Sequence, residues 1–273
     1  MKISAVSPGL RRPNRMTTAA TPRLLPLRGP YWADSARPLV CLAFVAPMLL
    51  VYEAGVLWLG PAAIRNGADV WLRALLDSVG FGQYFLLPLL TCGILLGWHH
   101  TRRDPWQLSN RTIRLMWFES AMYAVVLLLA AQLQAELMSE LPAAAFTGDS
   151  SRFAQGATRL IGYLGAGVYE EVLFRLLPIP LLALAFGRAG LNRRGSLIVA
   201  VTVTSVLFAL AHYRLNLELL GLHIRLPYGD EFAWFSFTFR FTAGLLFGAL
   251  FATRGFGIAC GAHALYDLLV ACV

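Results

Sequence analysis

Blocks of about 20 consecutive apolar residues recur along this chain of 273 residues, and that recurrence limits what it can fold into more than any other feature. A helix of about 20 residues spans roughly 30 Å, the thickness of a bilayer's hydrocarbon core. Seven blocks read as spans, at 38–60, 79–98, 114–137, 158–186, 196–213, 232–252 and 256–273. The fourth is long and contains Pro178 and Pro180, so it is either one kinked span or a span followed by a half-helix. Composition agrees with this reading: 58% of residues are hydrophobic and 14% charged, against about 25% charged in soluble domains. The fold class predicted is all-α, a polytopic membrane helix bundle of seven or eight transmembrane helices.

Charge follows the same blocks. Arginines gather in the N-terminal segment (Arg11, Arg12, Arg15, Arg23, Arg28, Arg37), after the second block (Arg102, Arg103, Arg111, Arg114), after the fourth (Arg188, Arg193, Arg194) and after the sixth (Arg254). The intervening loops carry acids instead: Asp69 and Asp77, Glu140 and Asp149, then Glu218, Asp230 and Glu231. The positive-inside bias puts the N-terminus in the cytoplasm and, for seven spans, the C-terminus on the opposite side. The net charge of +8 is then accounted for by arginines facing anionic headgroups, and no nucleic-acid partner is expected. Residues 1–37 read as a disordered basic cytoplasmic tail, and 38–273 as one membrane domain. Cys41, Cys92, Cys260 and Cys272 all lie in apolar blocks without CxxC spacing, so they read as small hydrophobes.

Ionisable residues inside such blocks are costly and therefore informative. Glu170, Glu171 and Arg175 lie within the fourth block. Glu171 and Arg175, four apart, share a helix face and are spaced for an ion pair, whereas Glu170 points about 100° away with no local partner. His212 closes the fifth block in Phe208-Ala-Leu-Ala-His212, and His263 and Asp267 sit one turn apart in the last. Glu53 and Glu119 read as polar glue between helices. Arg240 reads as paired with a carboxylate or snorkelling, and His99 and His100 as solvated at an interface. Gly162, Gly165 and Gly167, with Gly244 and Gly248, mark close helix approaches.

The succession EExxxR, FxxxH and HxxxN/D on successive apolar blocks resembles the CAAX-protease and bacteriocin-processing family (CPBP, also called Abi), which includes type II CAAX prenyl endopeptidases. The resemblance covers roughly residues 158–273. It implies a bundle of about eight helices around a polar cavity, and hydrolysis of a peptide bond near the membrane by a water that glutamate and histidine activate. Carried over, Glu170 becomes the base and His212 aligns the water or protonates the leaving amine. His263 and Asp267 support the oxyanion, and Glu171 and Arg175 form the supporting structural and electrostatic shell. Asp267 stands where many relatives have Asn, and a carboxylate there is equally suited to orient His263.

These groups supply a base, a proton donor and charge stabilisation with no covalent nucleophile. HExxH is absent, so no cofactor is expected; a divalent metal held by the two histidines and two carboxylates is the alternative. The expected partners are membrane lipids and a peptide or C-terminal tail of a membrane-associated or exported protein. The expected location is a cell membrane, in bacterial style the inner one. A non-proteolytic immunity or scaffold role and an ion-coupled carrier are the competing readings.

Overall fold

Helices, mostly apolar, make up most of the described part of the protein, seen here in a computed structural model that describes residues 30–60, 65–82, 85–138, 154–219, 222–226 and 229–272. In chain order they are α1 (Pro30–Ser35), α2 (Pro38–Leu59), α3 (Gly67–Ser78), α4 (Leu86–Arg102), α5 (Asn110–Leu137), α6 (Ala154–Glu171), a π-helical turn (Val172–Leu176), α7 (Pro178–Arg188) and α8 (Arg193–Leu210). A short antiparallel hairpin follows, β1 (Leu215–Leu219) with β2 (Leu222–Leu226), pairing Leu215 with Leu226. The chain ends on α9 (Trp234–Arg254) and α10 (Phe256–Cys272). Of the described helices, α2, α5, α8 and α9 are long and apolar enough to cross a membrane, and α10 is a shorter apolar helix. The chain is an integral membrane protein.

The core is where α10 packs between α2, α5 and α6, with α9 laid on α8. Small residues set these distances. A Cβ added at Gly167 would stand 2.5 Å from the Ala264 Cβ, so α6 and α10 meet backbone to backbone. At Gly248 it would stand 2.7 Å from Val201, which is the close approach expected of the Gly244/Gly248 pair. Gly162 has nothing near it.

The fourth apolar block is interrupted. Leu177 donates its N–H to Val172 O, five residues back, at 3.1 Å. Pro178 follows at the start of α7, having no N–H to give and a ring that excludes continued α-helical bonding. The extra residue in this turn makes Val172–Leu176 a π-bulge directly after Glu170 and Glu171, a feature that recurs at functional sites.

Several elements differ from the sequence-based expectation. Residues 30–37, given to the tail, are α1 and its turn onto α2, and Tyr31 donates to Glu119 Oε2 at 2.5 Å. The rest of the proposed disordered tail, residues 1–29, lies outside the described residues, as do Glu140 and Asp149. Asp69, read as part of a solvated acidic loop, is fully buried at the start of α3. That helix is amphipathic and too short to register as a span. His99, expected at a wet interface, is buried edge-on to Trp106, ring centroids 4.7 Å apart. Glu53 and Glu119 do join helices: Glu53 accepts from Arg73 and Tyr169, and Glu119 accepts from Arg254 at 2.6 and 2.7 Å.

Candidate active site

Four elements bring the singled-out residues together at mid-depth in the bundle. Glu170 and Glu171 end α6, Arg175 lies in the π-helical turn, His212 follows α8, and His263 and Asp267 sit on α10. Both glutamates are buried, Glu170 to 9% and Glu171 to 0% exposure.

Glu171 is the structural hinge of the group. Its Oε1 accepts from Arg175 Nη1 at 3.0 Å and from His263 Nδ1 at 2.8 Å. The pairing of Glu171 with Arg175 is the one expected from their spacing. Arg175, wholly buried, also reaches Gly244 O at 3.5 Å and lies 4.3 Å from the Phe208 ring centroid. A guanidinium spread over aromatic faces recovers part of its lost hydration. The contact from Glu171 to His263 was not anticipated. It occupies Nδ1, the position at which a carboxylate orients an imidazole, so the orienting bond comes from Glu171 rather than from Asp267.

With Nδ1 held, Nε2 of His263 faces two carboxylates, Glu170 Oε2 at 3.7 Å and Asp267 Oδ2 at 3.7 Å. Its ring stacks on Phe247, centroids 4.5 Å apart and planes 13° from parallel. His212 is fixed in the same manner: Nδ1 donates to Phe208 O at 2.8 Å, and Nε2 stands 3.9 Å from Glu170 Oε2. The backbone around His212 is clamped from the far side of the hairpin. Asp230 N–H donates to His212 O at 2.9 Å, and the neighbouring Gly229, at φ +124°, leaves no room for a Cβ, which would meet that carbonyl at 2.6 Å.

Glu170 is therefore the meeting point. Its Oε1 accepts from Asn66 Nδ2 at 2.8 Å, while Oε2 is buried without a hydrogen-bond partner among the described residues. A buried carboxylate oxygen left unpaired carries a real free-energy cost, which marks such atoms for explanation. Asn66 was missed by the sequence reading. It is the N-cap of α3, its Oδ1 accepting from Ala68 N–H at 2.8 Å, and the legible signal was an Asn ahead of an acid-led amphipathic turn. Nothing local could have paired it with a glutamate 104 residues away.

Beside the histidines lies a cavity of about 530 Å³ between α5, α9 and α10. His212, His263 and Asp267 line it, with Gln132, Ser236, Arg240 and Tyr266 among apolar neighbours such as Phe235 and Phe239. Arg240 is bound to Asp230 at 2.5 Å, as a paired rather than a snorkelling arginine. Glu170 does not line the cavity and meets it through the two imidazoles. Among the described residues, no group of three or more His, Cys, Asp or Glu is arranged to hold a metal ion. The four cysteines are free.

No curated protein and no solved structure was found to match the chain. A family description does match, over a stretch that contains Glu170, Glu171, Arg175, His212, His263 and Asp267 and leaves Asn66 outside it. Residues 154–269 match the family described as type II CAAX prenyl endopeptidase Rce1-like.

Proposed function

We propose that the chain is an intramembrane endopeptidase in which Glu170 activates water. The observation that carries this reading is the unpartnered Oε2 of Glu170, buried yet facing Nε2 of both His212 and His263 at 3.9 and 3.7 Å. A carboxylate saturated by donors makes a poor base; one with a free oxygen beside two imidazoles is arranged for proton traffic.

In this reading water attacks the scissile carbonyl carbon and gives a proton to Glu170 Oε2. The oxyanion formed is stabilised by His263, which Glu171 and the Phe247 ring hold in place. The proton passes by way of His212 to the amine nitrogen as the C–N bond breaks. Asp267, whose Oδ2 lies 3.7 Å from the same Nε2 that faces Glu170, supports His263 in stabilising the oxyanion. No cofactor is needed. The membrane domain runs from 38 to 273 and crosses seven times, the α6–π–α7 stretch counting as one broken crossing. The N-terminus is cytoplasmic and the membrane is a bacterial inner membrane.

The test is Glu170→Gln, which keeps side-chain size and the acceptor for Asn66. The probe is an internally quenched, farnesylated peptide ending in Cys-aliphatic-aliphatic-X, offered to purified protein in detergent and in proteoliposomes. Loss of a general base lowers turnover by about 10²–10⁴-fold, and that loss with folding intact is the expected outcome. Near-normal cleavage by Glu170→Gln overturns the reading, and ion flux through the same liposomes then tests the carrier alternative. Activity lost to a chelator and restored by zinc reassigns the chemistry to a metal.

A further inference from the structure

The bundle has two ends that differ in charge, and the cavity belongs to one of them. Hydrogen bonds between segments far apart in sequence identify the first end. Arg37 Nη1 donates to Pro105 O at 2.9 Å and Arg254 Nη1 to Trp32 O at 3.3 Å, so the starts of α2, α5 and α10 and the ends of α4 and α9 lie together. The start of α8 joins them, because Gly248 meets Val201 and Gly244 meets Ser205, which runs α8 antiparallel to α9 and sets Arg193 level with the end of α9. The end of α7 follows, through Gly187 against Ser196. Among the described residues, the arginine-rich turns 102–103, 111–114 and 188–194 are at this end, together with Arg254.

The second end is likewise tied across the bundle. Gln134 Nε2 donates to Phe235 O at 2.8 Å, and Tyr213 and Ser236 share a hydrogen bond of 2.6 Å. The ends of α5 and α8 and the start of α9 therefore meet, and the acids Glu136, Asp230 and Glu231 stand among them. The cavity starts at Phe247 and His263, midway along α9 and α10, and its remaining lining lies toward this end: Gln132 and Ala135, Phe235 and Ser236, and Val270.

Cytoplasmic ends carry the Lys/Arg excess. We infer that the catalytic cavity opens away from the cytoplasm, and that the substrate is a peptide segment that an exported protein presents at the outer surface of the membrane. A tail anchored on the cytoplasmic leaflet would reach the arginine-rich end, away from the residues that line this cavity. The inference rests on the proteolytic reading above and adds to it the side from which the peptide comes. The cavity suits such a segment: apolar walls for side chains leaving lipid, and Gln132, Ser236 and Arg240 for backbone and charged groups.

The experiment has two arms. In the first, the native cysteines are replaced and single cysteines are placed at Glu231→Cys and Arg194→Cys, both outside the site. A membrane-impermeant maleimide applied to intact spheroplasts is expected to label Glu231→Cys, and to label Arg194→Cys only after permeabilisation. The reverse pattern overturns the inference whatever the activity. In the second, the quenched lipidated peptide is added outside proteoliposomes in which the same labels have measured the orientation of the protein. Cleavage is expected to follow the fraction with residue 231 outward and to be lost in vesicles of the opposite orientation. Cleavage that follows the fraction with residue 194 outward overturns the inference and leaves the protease reading standing. Absence of cleavage in detergent, where both ends are open, overturns the protease reading and the substrate assignment with it.

Discussion

Two groups of buried acids lie within one helix of each other, and they are satisfied to different degrees. Around Glu53 and Asp69 every carboxylate oxygen has a donor. Arg73 reaches both oxygens of Glu53 at 3.0 and 3.3 Å and Asp69 Oδ1 at 2.5 Å; Tyr169 donates to Glu53; Tyr52 and Arg65 donate to Asp69 Oδ2, each at 2.8 Å. Around Glu170 and Glu171 one oxygen of each carboxylate has no partner among the described residues, and the histidines approach Glu170 only to 3.7–3.9 Å. Burial is similar in the two groups, so burial alone does not identify a reactive site. Saturation separates them. A network in which every carboxylate oxygen is engaged is held in place, whereas unpaired oxygens beside imidazoles retain capacity for a substrate or a proton.

This contrast predicts opposite results from the same chemical change. Glu170→Gln should lower turnover by about 10²–10⁴-fold and leave the thermal midpoint unchanged or raised, since it removes a buried charge that few groups compensate. His212→Ala and His263→Ala should each fall comparably. Adding either to Glu170→Gln should cost little more, because groups serving one transition state are not additive. Steady-state rates and thermal denaturation in one detergent check both parts. Additive losses would mean that the three groups do not act together.

Arg175 tests whether the reactive group has a saturated portion of its own. Its ion pair with Glu171 is wholly buried, and removing one partner of such a pair typically costs about 3–5 kcal/mol. Arg175→Ala is therefore expected to reduce the yield of folded protein before any specific activity is lost. A stable but inactive Arg175→Ala protein would move this arginine into the chemistry.

Glu53→Gln is the mirror of Glu170→Gln. It takes the charge from a carboxylate that accepts from Arg73 and Tyr169, and hydrogen bonds to charged groups contribute about 1.5–3 kcal/mol each. The expected result is a lower melting temperature with the turnover of the surviving folded protein unchanged. An activity loss as deep as that of Glu170→Gln would remove the distinction between the two groups.

What could be read from the chain alone divides along the same line. The apolar blocks, the Glu171–Arg175 pair and the close approach at Gly248 were legible because each is a local pattern: block length, spacing of four, spacing of small residues. The bond from Glu171 to His263, spanning 92 positions, and that from Asn66 to Glu170, spanning 104, were not. No periodicity encodes which distant helix a side chain meets. Helix α3 was hidden for another reason: twelve residues are too few for a span, so its buried Asp69 read as an acid in a loop. The hairpin was masked because its alternating Leu-Asn-Leu-Glu-Leu strand follows directly on an apolar block. The family match likewise starts at residue 154, and leaves out the segment that supplies the partner of Glu170.

Asn66 belongs to both groups and gives the smallest and most discriminating prediction. Its Oδ1 caps α3, which carries Asp69 and Arg73, while its Nδ2 holds Glu170 Oε1 and so leaves Oε2 toward the histidines. Asn66→Ser keeps a good capping oxygen but loses the amide donor, and Asn66→Ala loses both. If the amide aims the base, Ser should keep the wild-type melting temperature and KM while kcat falls about tenfold, the equivalent of one hydrogen bond to a charged group. Ala should show the same fall in kcat and in addition a loss of about 1 kcal/mol in stability. Should the Ser protein turn over at the wild-type rate, with only Ala impaired, Asn66 acts as a cap alone. The orientation of Glu170 would then be set by the packing of α6 on α10 at Gly167, and Gly167→Ala would be the substitution that lowers kcat.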